Sequence, residues 1–212
     1  MPWTFYNSSG EAMIEDGAMS IANNTNNRVV TATGADPASL NGEANLTFDG
    51  TTLTIAGQIA FPASQSASAG ANVLDDYEEG TFTAQITDDA DDGSSASYVR
   101  QTGFYTRIGQ QVFFHLHVVC DAISGLTGSE QLKIIGLPFT VNNATGHNPP
   151  VMGVRGEGLA ITAGVALTGT VLANTTTLRM EKWSATTGVS ALTVTEFSAD
   201  GNLLVNGSYF VA

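Results

Sequence analysis

Apolar and polar residues alternate with a period of two in many short runs of this chain. The clearest case lies within residues 44–57, where Leu46-Thr-Phe48 and Leu53-Thr-Ile55 flank an Asp49-Gly50 turn. Alternation on both sides of Asp-Gly predicts a β-hairpin. An isolated two-stranded hairpin is at best marginally stable in water, and the neighbouring sequence offers almost no apolar surface to cover its single apolar stripe. We therefore expect identical chains to cover it.

Strand-like runs continue through the rest of the chain, separated by turns that contain Gly and Asn. The runs are Thr81–Thr87, Ser97–Ile108, Gln111–Cys120, Gln131–Ile135, Met152–Val154, Ala160–Leu167, Thr176–Trp183, Ala191–Phe197 and Leu203–Phe210. No helical pattern of 10–15 residues lies between them, so crossover helices are not expected. The pattern predicts an all-β chain whose main part is an antiparallel β-sandwich of about nine strands, similar to a jelly roll.

Composition changes along the chain divide it into three parts. Residues 1–35 are rich in Asn, Ser and Gly and begin with the aromatic residues Trp3, Phe5 and Tyr6. Residues 36–73 hold the hairpin and a linker of small polar residues, and residues 74–212 hold the predicted sandwich. The three aromatic residues are candidates for docking on another protein, and disorder or docking on the chain's own main domain is equally open.

Charge limits the classes of partner. Charged residues make up 13% of the 212 residues and the net charge is −13, whereas soluble proteins average about 25% charged residues. This indicates a surface that is polar but neutral, or one that is buried between subunits. Clustered Lys and Arg are missing, so binding to nucleic acid or to anionic membranes is not expected. No run reaches the roughly 18 apolar residues of a membrane span, and no signal peptide is recognised.

The single cysteine, Cys120, has no partner for an intrachain disulfide. It ends the apolar run Phe113–Cys120, where a free cysteine is typically a small buried hydrophobic residue. We expect a buried thiol and assembly in a reducing cytosol.

Several segments together resemble a known family. Leu74-Asp-Asp-Tyr-Glu-Glu-Gly-Thr-Phe82, Gly103-Phe-Tyr-Thr-Arg-Ile-Gly109, Ile135-Gly-Leu-Pro-Phe139 and Gly207-Ser-Tyr-Phe-Val-Ala212 are similar to the "LDDYEEGTW", "GxYTKIG", "ISGLPF" and final-strand elements of a C-terminal β domain. That domain occurs in many bacteriophage tail-fibre and related virion proteins. Segments 28–34 and 45–55 resemble connecting segments of such fibres, especially those of phages infecting aquatic bacteria. This chain departs from the pattern in having no long shaft.

The resemblance implies a homotrimeric structural protein of the virion, on the tail or the capsid, assembled in the host cytoplasm. It implies an N-terminus docked on another virion protein and a C-terminal domain that binds a glycan or protein of the host surface. A capsid-attached head fibre or decoration protein is the alternative.

Recognition residues concentrate on loops held by a rigid sheet. The loop at 141–150 therefore supplies the receptor-binding candidates Asn142, Asn143, His147 and Asn148, whose side chains can hydrogen-bond sugar hydroxyls. An ordinary polar surface loop is the alternative interpretation.

Catalytic patterns are sparse. No Gly-x-Ser-x-Gly element occurs. The acidic residues at 75–79 are expected to lie in an exposed segment that leads into a strand. We expect a protein that is not an enzyme, with polysaccharide depolymerase as a third alternative.

Two patterns leave metal binding open, although no cofactor is expected. His115 and His117 point to one face of a strand, and three such pairs on a three-fold axis offer six nitrogens to a transition metal. Half-buried, hydrogen-bonded rings are the alternative. The run Asp88-Asp-Ala-Asp-Asp-Gly93 suits Ca²⁺ or an acidic turn between strands.

Overall fold

Fourteen strands and one helix form within the residues that the computed structural model describes, namely 21–22, 28–32, 40–61, 74, 77–90, 96–144 and 148–211. The all-β class expected from the alternation is confirmed. The elements are β1 (Ile21–Ala22), β2 (Arg28–Ala32), β3 (Leu40–Phe48), β4 (Leu53–Ile55), β5 (Glu78–Phe82), β6 (Gln85–Thr87), β7 (Ser97–Ile108), β8 (Gln111–Ala122), β9 (Lys133–Ile135), β10 (Gly153–Glu157), β11 (Ala166–Val171), β12 (Thr177–Ala185), β13 (Gly188–Ala191), α1 (Val194–Phe197) and β14 (Asn202–Phe210).

The chain divides into two compact units, residues 1–60 and 61–212. The division falls inside the range 36–73 that the sequence assigned to hairpin and linker. In the first unit, β3 pairs with β2 and β4 antiparallel and with β1 parallel. One sheet thus includes strands from both sides of residue 35, and the three-part division of the chain stays a prediction.

The predicted hairpin is present. Leu46 lies opposite Ile55 and Phe48 opposite Leu53. The connection is longer than the Asp49-Gly50 pair, because residues 49–52 all lie outside the strands. The Asp49 carboxylate accepts hydrogen bonds from the backbone N–H groups of Thr51 (2.9 Å) and Thr52 (2.7 Å), which closes the loop as Asp commonly does.

The second unit is a sandwich of two antiparallel sheets. The first sheet has the order β10-β14-β8-β7-β5, and the second has the order β11-β12-β9-β6 with β13 paired to β12. Alternate residues of the central strand β8 point into the core, so Leu116 and Val118 are fully buried. From the other sheet, Ile134 and Met180 enter the same core. The antiparallel sandwich predicted from the sequence is confirmed.

Cys120 lies in this core and is 3% exposed. Burial raises the pKa of its thiol to about 12. The expected buried cysteine is confirmed.

Two predicted strands were wrong in part. The run Thr81–Thr87 is two strands, since β5 belongs to the first sheet and β6 to the second. The run Ala191–Phe197 ends in α1, where Thr193 accepts from the Glu196 N–H and the Glu196 side chain accepts from the Thr193 N–H. This capping box starts a helix, and it overrides the β propensity of the β-branched residues around it.

A third run, Ala160–Leu167, was placed too early. Only its last two residues lie in a strand, because β11 begins at Ala166. The residues before it form a turn and an irregular connection from β10.

Rings packed over glycines join the edge strand β5 to β7. Phe82 lies over Gly103, where an added Cβ would be 2.4 Å from the ring, and Tyr105 lies over Gly80, where it would be 2.8 Å from the hydroxyl oxygen. The register pairs Gly80 with Tyr105 and Phe82 with Gly103. Each aromatic side chain therefore occupies the space that the opposite residue leaves empty.

No helix within the described residues is long and apolar enough to cross a membrane.

Candidate binding faces of the sandwich

The middle of the first sheet carries a patch without charged residues on the side away from the core, and charged residues border this patch. Glu79 of β5 lies opposite Thr106, and Arg155 of β10 lies opposite Leu204. Register places the side chains of this patch in three adjacent rows across β7, β8 and β14. The next row towards one end of the strands contains Arg100. We call these nine residues the uncharged face: Thr102, Phe104, Thr106, Phe113, His115, His117, Leu204, Asn206 and Ser208. With histidine neutral, none of the nine carries a charge, although an antiparallel sheet with one face in water usually places charged residues there.

Large apolar side chains stand out from this surface. Phe104 is 56% exposed and Phe113 is 47% exposed. Met152, which precedes β10, is 70% exposed. Together with His115 and Asn206 they line an open trough of about 350 Å³. The trough combines apolar walls with polar groups, which is the usual composition of a binding surface.

The outer face of the second sheet is different. On it, Arg179 Nε lies 3.1 Å from Glu181 Oε1, and Thr170 donates a hydrogen bond of 2.7 Å to the same carboxylate. Nearby, Lys133 Nζ lies 3.2 Å from Asp89. We call these five residues the charged face.

The two histidines lie on the uncharged face, side by side along β8, while Leu116 and Val118 fill the core. His117 Nε2 is 3.0 Å from Asn202 Oδ1. The Asn202 amide in turn donates to Glu157 at 3.0 Å. Since the amide oxygen can only accept, His117 Nε2 carries the proton in this arrangement.

That hydrogen bond bears on the metal hypothesis. A metal bound to Nε2 of His117 must displace Asn202, because a ligating nitrogen cannot hold a proton. Among the described residues of one chain, no group of three or more His, Cys, Asp or Glu side chains could hold a metal ion. Metal binding at His115 and His117 remains a prediction that depends on further copies of the chain.

The acidic run at 88–93 is partly described. Asp88 is fully buried, and its carboxylate accepts from the backbone N–H groups of Ala90 (3.0 Å) and Thr127 (2.7 Å). Asp89 is paired with Lys133. Both carboxylates thus stabilise the turn after β6, and the remaining acidic residues of the run, Asp91 and Asp92, lie outside the described residues.

The loop at 141–150 is held by two of its asparagines. Asn142 Nδ2 donates to the Val211 carbonyl oxygen at 3.3 Å, and its side-chain oxygen accepts from Ala144 at 2.7 Å. Asn148 accepts from the Ala173 N–H at 3.0 Å. Asn143 is exposed, and His147 lies outside the described residues. Receptor binding by this loop remains a prediction, with Asn143 the side chain on its surface.

Aromatic contacts join the segments that carried the family resemblance. Phe139 packs edge-on against Tyr105 with ring centres 5.3 Å apart, and the Arg107 guanidinium lies 5.1 Å from the Phe139 ring centre. The Tyr209 hydroxyl donates to the Phe139 carbonyl oxygen at 3.1 Å. Burial, followed by a hydrogen bond to Glu78, raises the pKa of Tyr105 to about 12. These segments therefore meet at one corner of the sandwich and stabilise it.

The N-terminal docking candidates Trp3, Phe5 and Tyr6 lie outside the described residues, so their role also stays a prediction.

Sequence reasoning missed Phe104, Phe113, Met152 and Asn206 as surface residues. The alternation in Gln111–Cys120 already places Phe113 and His115 opposite the core side chains. What sequence alone does not give is the pairing of β8 with β14 and β7, which joins the outward residues of three strands into one surface.

Comparison with known proteins shows a likeness of fold. No family model matches this chain, and no curated protein matches it. A crystal structure of the Dettilon tailspike protein (gp208) is similar to it, with a TM-score of 0.50 and 17% identical residues. The match covers 63% of this chain and 24% of that chain. The chain thus shares a β-rich fold with a part of the tailspike.

Proposed function

We propose that this chain is a structural protein of a bacteriophage virion, a homotrimeric fibre that attaches the particle to the host surface. The observation that carries the proposal is the β-rich fold that this chain shares with part of a tailspike. The order of the resembling segments along the chain adds to it.

The hairpin supports self-assembly. Phe48 and Leu53 lie opposite each other and are 49% and 56% exposed in the single chain. Ile55, next to them on β4, is 37% exposed. Apolar area of this kind is stabilised by removal from water, and two further copies of the same hairpin supply the matching surface.

We further propose a polarity for the fibre. The N-terminal segment docks on another virion protein through Trp3, Phe5 and Tyr6, and the sandwich points outward with Asn143 on its surface loop. Removal of residues 1–10 should then leave a folded trimer that no longer joins virions. Incorporation of the truncated protein would place the anchor elsewhere in the chain.

The proposed action is binding without catalysis. The buried carboxylates of Asp88 and Glu181 accept hydrogen bonds within the fold, which is a structural use of acidic groups. Incubation of the purified protein with host surface polysaccharide should release no shorter fragments. Fragment release would identify a depolymerase.

Two measurements test the proposal together. Light scattering after size exclusion should give about three times 22.0 kDa, and the purified protein should compete with phage for adsorption to host cells. Electron micrographs of virions labelled at this protein should show the label at the tail. A label on the capsid together with no competition would identify a head fibre or decoration protein instead.

A further inference from the structure

We propose that copies of the chain meet through the uncharged face of the first sheet, so that this face is the subunit interface of the sandwich domain. The inference rests on the proposed homotrimer and adds the surface that forms it.

The first argument is electrostatic. Each copy carries a net charge of −13, and like charges brought together at an interface cost several kcal/mol. Equally acidic copies can therefore approach closely only where acidic groups are missing. The nine residues of the uncharged face provide such a surface at the centre of the sheet, and the acidic residues on the same side, such as Glu79 and Glu157, lie at its edges.

The second argument is size. Phe104, Phe113 and Met152, with Ile108 at the end of β7, are between 43% and 70% exposed. A half-exposed side chain of this size offers roughly 100 Å². The four supply about half of the roughly 800 Å² per partner of a standard interface, and the threonine, serine, asparagine and histidine side chains between them extend the area.

The third argument is chemical. Groups such as Thr102, Thr106 and Ser208 both donate and accept hydrogen bonds, so they can pair with the same groups of another copy. They can be buried without leaving an unpaired charge. A small ligand such as a sugar ring needs only the trough, whereas the uncharged surface extends across three strands. Its extent favours a protein partner.

Paired substitutions test the interface in the full-length protein. Phe104→Glu combined with Phe113→Glu places two carboxylates on the face, and the dissociation constant of the oligomer should rise by at least about 100-fold. Trp183→Glu is the matched control, because Trp183 is 55% exposed on the second sheet and its substitution should leave the oligomer intact. Circular dichroism checks that each variant is folded.

Crosslinking gives a second measurement that does not depend on a disruptive variant. The only native cysteine is buried, so Asn206→Cys introduces a single accessible thiol on the uncharged face. A bifunctional maleimide should link Asn206→Cys chains to one another and should not link Val189→Cys chains, whose thiol lies on β13 of the second sheet. If the double Glu variant fails to fold, this comparison decides the question.

The outcomes separate the interface from the proposed function. Dissociation of the double variant with an intact Trp183→Glu oligomer, or crosslinking at residue 206 alone, supports the interface. An oligomer that survives the double substitution, without crosslinks at residue 206, overturns the interface and leaves the homotrimer standing, with a ligand such as a glycan as the occupant to test next. A parent protein that is monomeric at micromolar concentration overturns both.

Discussion

Phe104 and Trp183 are exposed to nearly the same extent, 56% and 55%, on opposite outer faces of the sandwich. Around Phe104 the register places Thr106, His115 and other uncharged side chains. Trp183 instead shares its strand with the Arg179–Glu181 ion pair. Two aromatic residues of equal exposure therefore lie in surroundings of different charge.

The comparison also separates two uses of charge in this chain. On the second sheet, ionised groups hold strands and turns together, as Glu181 and Asp89 show. On the first sheet the charged residues of the outer side, such as Glu79 and Arg155, lie around the nine uncharged residues. The most informative substitutions therefore change the charge of a surface, either by adding a carboxylate to an uncharged surface or by removing one from the second sheet.

The largest effect is expected from Phe48→Asp in the hairpin of the N-terminal unit. We propose that the apolar stripe of the hairpin is buried between copies, as we propose for the uncharged face of the sandwich. A carboxylate on a stripe that is buried between copies should cost the trimer about 3–5 kcal/mol. The measurement is the concentration dependence of the mass by light scattering.

Thr47→Asp is the control for that substitution, since Thr47 belongs to the opposite side of the alternation and should tolerate charge. A Phe48→Asp protein that assembles like its parent would show that the stripe stays in water.

Asp88→Ala tests whether a buried carboxylate next to the second sheet stabilises the fold. Removal of this buried carboxylate leaves the N–H groups of Ala90 and Thr127 without their acceptor, and urea unfolding should show a loss of about 2–3 kcal/mol. Asp89→Ala removes only a half-exposed partner of Lys133 and should cost less than about 1 kcal/mol. Equal losses in the two variants would contradict the structural use of Asp88.

Gly103→Ala probes the inner side of the first sheet. Because the new Cβ would lie 2.4 Å from the Phe82 ring, the ring must move, and we expect a loss of about 1–2 kcal/mol in the free energy of unfolding. At Gly188, on β13, no atom lies within 4 Å of an added Cβ, so Gly188→Ala should be near neutral. Combination of Gly103→Ala with Phe82→Leu should recover part of the loss.

The smallest effect concerns pH and the contact between α1 and β12. Burial opposes ionisation of Glu196, but hydrogen bonds from Lys182 and Thr193 outweigh it and hold the pKa of Glu196 below its usual range. The unfolded chain then binds this proton more readily, so the contribution is full above about pH 4.5 and is lost as the pH falls through the lowered pKa. Glu196→Gln should remove that part of the pH dependence, amounting to less than about 1 kcal/mol.

The sequence predicted those features of the fold that depend on local alternation. It placed His115 and His117 on one side of a strand, and it predicted a hairpin around Asp49, although the connection is longer than the Asp49-Gly50 pair. It failed where a competing local signal was present. The Thr193-x-x-Glu196 capping box was readable in the sequence and was overlooked in favour of β propensity.

Other features depended on contacts between distant residues. The run Thr81–Thr87 is divided because the chain crosses between sheets at Thr83, where Gly136 approaches so closely that an added Cβ would lie 2.3 Å from the Thr83 carbonyl oxygen. The uncharged face depends on the strand order β14-β8-β7 in the same way. Alternation within one strand shows which side chains point to the same face of the sheet. Strand order determines which side chains of other strands lie next to them on that face.

The rings of Phe82 and Tyr105 have a mechanical consequence. Any tension transmitted along the chain from the first unit enters the sandwich at β5, whose five residues pair with β7. Pulling along an antiparallel edge strand shears its hydrogen bonds together, and the two rings seated over Gly103 and Gly80 oppose sliding because each would have to leave its glycine. The edge strand is thus the first element of the sandwich to bear the load. Gly80 and Gly103 determine how strongly the pair of strands resists sliding.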